Sequence, residues 1–324
     1  MTDVPYRTFA AQRSHWAAAG ISILNGVFGD YLQQRQNGLA LRMAFMHRAR
    51  ALPMTRTQLQ QAHPAATAKL CVLVHGLCCN ESSWSGKAPD GSVMTYGSCL
   101  QADLGYTPFY LRYNSGLPIA QNGAALAALL AELLVAYPLA VEEIVLIGHS
   151  MGGLVLRSAC EAAGRQRLSW VQRVTRVFYL GTPHEGAPLK RLTHTAVAAL
   201  RTIPNPIAAL VGEALDLRSR GIKDLRRGDV LAPSAASGPT PIAWLASAQH
   251  YLIAGSLTEN PQHIASLLLG DALVRLPRKK GARAGSAAAV LPQQNIKVFG
   301  RMHHMQLAHD MAVYEQIRNW CAAG

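Results

Sequence analysis

The fold of this chain is decided by the stretch Glu143-Ile144-Val145-Leu146-Ile147-Gly148-His149-Ser150-Met151-Gly152-Gly153-Leu154-Val155-Leu156-Arg157. An apolar run typical of a buried strand ends at Gly148, and a run of helix-forming residues follows Gly152. The turn between them holds Ser150, with small residues where the chain must bend tightly. This strand–turn–helix pattern predicts that the Ser150 hydroxyl lies at the carboxyl edge of a sheet, where the amides of the next helix face any developing negative charge. The alternative is a glycine-rich turn with an incidental serine.

Strands and helices alternate on both sides of this stretch. Short apolar runs predict strands at 70–74, 107–113, 143–147, 174–180, 250–254 and 295–299. Helical patterns lie at 119–136, at 152–164 and in parts of 189–227. The alternation implies an α/β fold with a mostly parallel sheet covered on both faces. No glycine pattern of a dinucleotide or phosphate-binding loop is found in the sequence.

The remaining chain divides into an N-terminal and an inserted segment. Residues 8–66 are predicted to be helical, because Leu39, Met43, Met46 and Ala49 recur at a helical spacing. The connection before the strand at 250–254 is far longer than an ordinary loop, which is typical of a lid or binding element; a simple packed helical cap is the alternative. We therefore predict an N-terminal helical extension (1–68), an α/β core (69–188 and 249–324) and a cap insertion (189–248).

Composition and charge limit the classes of function. The 324 residues are 50% hydrophobic and 15% charged, which excludes a disordered chain. The net charge of +13 suggests an anionic partner. A basic run is typical of a solvated loop, with an anionic lipid surface as the alternative; it comprises Arg275, Arg278, Lys279, Lys280 and Arg283. No nucleic-acid partner is predicted, because no recognition fold is found and aromatic residues do not interleave with the charges.

The apolar stretches and the cysteines indicate the cellular compartment of the protein. Residues 119–141 carry one charge but are mostly alanine, which predicts an amphipathic crossover helix rather than a membrane span. Residues 16–29 resemble a signal peptide only loosely, since they start late and lack a clear cleavage site. The six cysteines include no C-x-x-C pair, and no zinc spacing is found, so no metal is predicted. We expect a reducing, cytoplasmic location, with peripheral membrane contact as an extension of it.

Three motifs together resemble those of the α/β-hydrolase superfamily, specifically its lipase and esterase group. They are His75-Gly76-Leu77 after an early strand, Gly148-His149-Ser150-Met151-Gly152, and Leu180-Gly181-Thr182-Pro183-His184. The resemblance extends in order over residues 70–322. It implies the α/β-hydrolase fold, with a mostly parallel central sheet flanked by helices, a helical cap insertion and no cofactor.

The resemblance also implies roles for particular residues. Ser150 would be the nucleophile, the backbone amides of Leu77 and Met151 would form the oxyanion hole, and His75 would anchor its loop. The segment Leu269-Gly270-Asp271-Ala272 resembles the turn whose aspartate orients the catalytic histidine, although the family usually has glycine in place of alanine. Asp271 is therefore the expected acid, with Glu259 as its rival.

A histidine near the C-terminus is the expected base, since the superfamily places it last in the chain. His304 with Leu307 fits the family's H-x-x-L pattern before a C-terminal helix. His303 and His309 are neighbouring alternatives, and His184 is expected to be a loop residue.

These roles predict a serine hydrolase that cleaves carboxylic esters, small or lipidic, through an acyl-enzyme on Ser150. One alternative uses the same triad as a thioesterase or an acyltransferase. A further alternative is a non-catalytic, lipid-binding protein that retains the fold.

Overall fold

The computed structural model describes residues 9–87, 90–184, 220–227, 244–256 and 292–323. The strands within these residues are β1 Ala44–His47, β2 Arg50–Ala51, β3 Lys69–Val74, β4 Ser85–Lys87, β5 Val93–Thr95, β6 Thr107–Arg112, β7 Glu143–His149, β8 Val174–Leu180, β9 Gln249–Ser256 and β10 Ile296–Gly300. The α-helices there are α1 Phe9–Gln34, α2 Arg56–Ala62, α3 Tyr96–Leu104, α4 Ile119–Ala136, α5 Met151–Gln166, α6 Arg220–Arg227 and α7 Met311–Ala322. Short 3-10 helices include Glu81–Trp84 and His304–Ala308.

The central sheet has the strand order β10-β9-β8-β7-β3-β6-β1-β2. The six strands from β10 to β6 are parallel, and β1 joins antiparallel to β6. All six strands predicted from the sequence are therefore confirmed. Because β3 pairs with β6 on one side and β7 on the other, the direction of winding reverses at β3. Sites in open α/β sheets lie at such a switch point, beyond the carboxyl ends of the strands.

Both faces of the sheet are buried. Along β3, Leu70, Val72 and Val74 enter one hydrophobic cluster, whereas Cys71 and Leu73 enter the other. Helices α4 and α5 cover the first face, and α3 and α7 cover the second. Since each fully buried aliphatic side chain stabilises a fold by about 1.5–3 kcal/mol, this double coverage explains the continuous apolar runs of the strands.

Helix α4 is the stretch that resembles a membrane span. Among the described helices, it alone combines sufficient length and hydropathy to cross a bilayer. It connects the parallel strands β6 and β7, and Leu126, Leu130 and Leu133 are fully buried in the core. The indole N–H of Trp170 also donates to the Ala127 carbonyl at 3.0 Å. The stretch thus forms a crossover helix that packs on the sheet, as its alanine-rich sequence predicts.

The prediction of helices throughout residues 8–66 is wrong in its middle. Helices α1 and α2 form, but Ala44–His47 is strand β1. The Phe45 ring is 1% exposed and packs edge-on against Phe109, with ring centroids 5.3 Å apart. Pairing with the open edge of β6 outweighs the helical spacing of the sequence. Residues 1–68 therefore contribute two strands to the central sheet and are not a purely helical extension.

All six cysteines lie in the described part of the chain and are free thiols. Cys71, Cys78, Cys160 and Cys321 are buried. Burial raises the pKa of the Cys79, Cys160 and Cys321 thiols to about 12. The four buried side chains fill the core as small apolar groups.

Candidate active site

The turn between β7 and α5 holds Ser150 in a strained conformation. Its φ of 54° and ψ of −124° lie outside the regions that L-residues favour, at a cost of about 1–3 kcal/mol. The Ser150 amide donates to the Leu180 carbonyl at 2.8 Å, which fixes the turn to β8. A Cβ on Gly152 would lie 2.2 Å from the Val74 oxygen, and one on Gly148 would lie 2.6 Å from the Gly153 Cα. Only glycine permits this approach, so the two flanking glycines allow the tight turn.

Residues 75–80, here called the β3 loop, pass directly beside Ser150. The register pairs Val74 with Gly148, so the residues two positions further along face each other. A Cβ on Gly76 would lie 3.0 Å from the Ser150 Cβ. Within the part of the chain that the structure describes, the backbone amides of Leu77 and Met151 donate to no other group. The two sequence-predicted oxyanion donors thus flank the serine on neighbouring segments.

His75 anchors the start of the β3 loop. Its ring stacks on Tyr113 with centroids 4.4 Å apart, and the Tyr113 hydroxyl donates to the His75 carbonyl at 2.8 Å. The His75 Nδ1 lies 2.8 Å from the Gly76 carbonyl oxygen, so that nitrogen carries the proton. Burial lowers the pKa of His75 to about 4, which keeps the ring neutral. The structure gives His75 the anchoring contacts that the resemblance implies.

Helix α1 packs against the middle of the same loop. Cys78 has a φ of 59°, and its amide donates to the Ser115 hydroxyl at 3.1 Å. A Cβ on Gly26 would lie 2.4 Å from the Cys78 sulfur and 3.0 Å from its Cα. Ile23 packs with Cys78 in a small cluster of its own. The N-terminal helix therefore helps to define the shape of the loop beside Ser150.

The end of the β3 loop is also fixed. The Asn80 side chain accepts from the Ser82 amide at 2.9 Å and caps the 3-10 helix Glu81–Trp84. Glu81 forms a partly buried ion pair with Arg112 at the end of β6. Trp84 is fully buried. Asn80 and Trp84 therefore act as a cap and an anchor at the end of the loop.

His304 lies at the start of the turn after β10, here called the β10 turn (residues 301–310). His304 is half-buried, whereas the neighbouring His303 is exposed. The His303 backbone amide donates to the Gln306 side-chain oxygen at 2.7 Å, which stabilises the beginning of the 3-10 helix. Of these two candidate bases, His304 is the one that faces the interior.

Tyr96 holds the far end of the β10 turn. Its hydroxyl lies 2.9 Å from the carbonyl oxygens of both Leu307 and Asp310. Burial raises the pKa of this hydroxyl well above its usual value, so it remains a protonated donor. Asp310 then caps helix α7 through the Ala312 amide at 2.9 Å. The turn that carries His304 is thus fixed by α3, on a distant part of the chain.

His149 joins the Ser150 turn to the β10 turn, a role that no motif in the sequence predicts. Its Nε2 lies 2.9 Å from the His304 carbonyl oxygen, and the two rings lie 4.7 Å apart at 44°. His149 is 1% exposed. Burial is the main cause that lowers the pKa of its imidazole well below the usual value, and the neighbouring His304 adds to it. Because the two residues lie 155 positions apart, no local pattern in the sequence indicates this contact.

Several predicted features lie outside the described residues. They are the expected acid Asp271, its rival Glu259, the basic run 275–283 and most of the predicted cap at 189–248. Of the cap, α6 is described. Its Asp224 side chain accepts from the Ile119 amide at 2.9 Å, and so caps the N-terminus of α4.

His184 belongs to a separate buried cluster. Its Nδ1 lies 3.2 Å from the Arg157 guanidinium, and its ring lies 5.3 Å from Trp244. The Arg157 guanidinium in turn stacks on Trp244 at 4.6 Å. Burial and the neighbouring Arg157 lower the pKa of His184 well below its usual value. Among the described residues, the side-chain contacts of His184 are with this cluster.

Comparisons with known proteins give one family and several structures. The PGAP1-like alpha/beta domain matches residues 124–202, less than half of the chain but including the Ser150 turn. No curated protein matches. A lipase-esterase related protein from Clostridium acetobutylicum is 13% identical with a TM-score of 0.43, covering 86% of this chain and 98% of that one. An esterase from Thermogutta terrifontis is 15% identical with a TM-score of 0.44, covering 80% and 91%.

Because these structural similarities are low, the fold assignment depends on the chain itself. The strand order, the reversal at β3, the strained serine between β7 and α5 and the neighbouring β3 loop are the features that carry it. The chain has the α/β-hydrolase fold and resembles the lipase and esterase group of that superfamily.

Proposed function

We propose that the protein is a serine hydrolase that cleaves carboxylic esters through an acyl-enzyme on Ser150. The observation that carries this proposal is the strained conformation of Ser150, with a φ of 54°, at the end of a buried parallel strand. Such strain is maintained where the surrounding structure fixes it, and it is concentrated at functional sites. The approach of the β3 loop to Ser150 and the hydrogen bond from His149 to the turn that carries His304 support a site for acyl transfer here.

The reaction has two halves. His304 takes the proton from the Ser150 hydroxyl as its oxygen attacks the ester carbonyl carbon, and the Leu77 and Met151 amides stabilise the oxyanion. The tetrahedral intermediate collapses, His304 gives the proton to the leaving alcohol, and the acyl group remains on Ser150. Water then attacks the acyl-enzyme with His304 as the base, which releases the acid and restores the serine.

Each amide in such an oxyanion hole contributes about 3 kcal/mol to stabilisation of the transition state. The proposed acid is Asp271, which would hold the His304 imidazole in the required tautomer and stabilise its cation. Exchange of Asp271 for asparagine would lower kcat by about 10⁴-fold, whereas Glu259→Gln would leave it within about threefold. The opposite ranking would make Glu259 the acid.

The nucleophile is tested with a fluorophosphonate probe on the folded protein, followed by peptide mapping. We expect one adduct per chain, on Ser150, and none in Ser150→Ala. Absence of an adduct on the folded wild type would overturn the proposal and would favour a non-catalytic, lipid-binding protein.

The substrate class is tested with p-nitrophenyl esters of increasing acyl length beside acyl thioesters and an alcohol acceptor. Hydrolysis of esters in preference to thioesters supports the proposal. Faster thioester cleavage, or transfer to the alcohol, would instead identify a thioesterase or an acyltransferase. A rate that rises with acyl length would make the natural substrate a lipid.

We further propose that the positive charge of the chain brings the enzyme to an anionic membrane surface. The support is the net charge of +13 and the basic run at 275–283. Co-sedimentation with vesicles should increase with their content of phosphatidylserine and decrease in high salt. Binding that is insensitive to anionic lipid would contradict this part of the proposal.

A further inference from the structure

We propose that His149 is a positioning residue, whose imidazole N–H holds the backbone of the base His304 at a fixed distance from the Ser150 turn. The inference rests on the proposed function, because it concerns how the two reacting groups are brought together. His149 itself touches neither the ester nor the proton that moves.

The hydrogen bond defines the state of the ring. A backbone carbonyl can only accept, so the His149 Nε2, 2.9 Å from the His304 oxygen, must carry the proton. Burial lowers the pKa of His149 well below its usual value, so the ring is neutral and its Nδ1 atom is an acceptor. It is buried, and it has no hydrogen-bond partner among the described residues. His149 is therefore neutral and in a single tautomer.

The unsatisfied Nδ1 gives a reason to assign a role to the donor. A buried acceptor without a partner destabilises a fold by about 1–3 kcal/mol, which an apolar side chain of similar size would avoid. The position is tightly enclosed, since a Cβ on Gly76 would lie 3.3 Å from the Nδ1 atom. The imidazole supplies an N–H donor to the His304 carbonyl, which an apolar ring would not supply.

The position of this hydrogen bond in the chain allows it to affect the alignment of nucleophile and base. His149 directly precedes Ser150, whose φ and ψ are fixed by the turn. The acceptor is the carbonyl of His304 itself, so a single hydrogen bond connects the residue beside the nucleophile with the backbone of the base. Trp84 backs the His149 ring edge-on, with centroids 6.4 Å apart. The ring is thus held between a fixed indole and the His304 ring.

The expected consequence is a change in rate without a change in substrate binding. Displacement of reacting groups by about 1 Å can slow a reaction about 100-fold. Loss of the His149 donor would free the β10 turn near His304, while Tyr96 would still hold its far end. The protein would fold and bind ester, but the base would be poorly aligned.

The test compares three variants of His149. His149→Gln keeps an N–H donor with similar reach, whereas His149→Met is of similar length and has none, and His149→Phe keeps a ring. We expect His149→Met and His149→Phe to lower kcat and the rate of fluorophosphonate labelling about 100-fold, with KM within about twofold. His149→Gln should restore kcat to within about fivefold of wild type.

His250 supplies a matched control. It is also buried, and its Nε2 lies 3.0 Å from the backbone carbonyl of Leu245. His250→Phe removes that hydrogen bond, together with the one between the His250 Nδ1 and the Tyr179 hydroxyl, so it should lower the unfolding midpoint but leave kcat within about twofold of wild type.

Three results would overturn the inference: His149→Met with the kcat of wild type, His149→Gln as slow as His149→Met, or His250→Phe as slow as His149→Phe. Failure of the proposed function is distinguishable from these, since it would show as absence of Ser150 labelling in the wild type. If His149→Phe does not fold, the comparison of Gln with Met decides the question alone.

Discussion

The β3 loop on one side of Ser150 combines tight packing with its hydrogen bonds, whereas the β10 turn on the other side is joined to distant parts of the chain by hydrogen bonds to its carbonyl oxygens. His75 stacks on Tyr113, and Gly26 of α1 lies in close contact with Cys78. On the other side, His149 and Tyr96 each reach a carbonyl of the β10 turn from a distant part of the chain. Damage to the packed side should therefore lower stability together with activity, while damage to the hydrogen-bonded side should lower activity with a smaller loss of stability.

The largest expected effect is at Ser150, where the two sides meet. Ser150→Ala removes the nucleophile and should lower kcat by at least about 10⁴-fold. Alanine keeps the strain of a φ of 54°, whereas Ser150→Gly relieves it and should raise the free energy of unfolding by about 1 kcal/mol. Urea denaturation of the two inactive variants measures this difference. Equal stabilities would mean that the turn is not strained.

The next largest effect is expected in the β10 turn. His304→Ala should lower kcat about 10⁴-fold, because the base is removed. The exposed His303 provides the control, and His303→Ala should stay within about threefold of wild type in steady-state ester hydrolysis. The reverse result would assign the base to His303.

A smaller, mixed effect is expected on the packed side. The Cβ of Gly26→Ala would lie 2.4 Å from the Cys78 sulfur, so α1 and the β3 loop must move apart. We expect a loss of about 1–3 kcal/mol in the free energy of unfolding and a kcat about tenfold lower, as the Leu77 amide shifts. Gly164→Ala, also within a helix, meets nothing within 4 Å and should be neutral or slightly stabilising. If Gly26→Ala changed neither quantity, α1 would not shape the loop.

The smallest expected effect is on the pH dependence of the free energy of unfolding. A buried histidine on each side of Ser150 contributes to this dependence. Burial lowers the pKa of His75 to about 4 and that of His149 well below its usual value. Between pH 6.5 and about 4 the unfolded chain binds protons that the folded chain does not, so stability falls as the pH falls, by about 1.4 kcal/mol per pH unit for each such histidine. Above pH 6.5 this contribution is complete.

His75→Phe and His149→Phe should therefore each reduce the fall in the free energy of unfolding with pH by the contribution of one histidine. Urea midpoints at pH 7, 6 and 5, taken as differences from wild type, measure it. Of the two variants, His149→Phe should have the lower kcat. A slope unchanged in both would show that these histidines have the same pKa in the folded and the unfolded chain.

Local patterns predict the strands and the Ser150 turn because the information lies within a few residues. Six apolar runs specify the parallel strands, and the spacing of glycines around Ser150 specifies the turn. The spacing of Leu39, Met43 and Met46 wrongly predicts a helix, because part of that segment pairs with the open edge of β6 as strand β1. The contact of His149 with His304 and the packing of α1 against Cys78 depend on the tertiary fold, so no local pattern specifies them.

The raised thiol pKa values of this protein bear on its chemical reactivity. The thiolate is the reactive form of cysteine, and burial raises the pKa of Cys79, Cys160 and Cys321 to about 12. Cys71 and Cys78 are shifted still further in the same direction. At neutral pH these five residues should resist alkylation and mild oxidants while the chain is folded. Iodoacetamide would therefore modify these five residues only as the protein unfolds. Their alkylation would report unfolding, and they would compete little with Ser150 for electrophilic inhibitors.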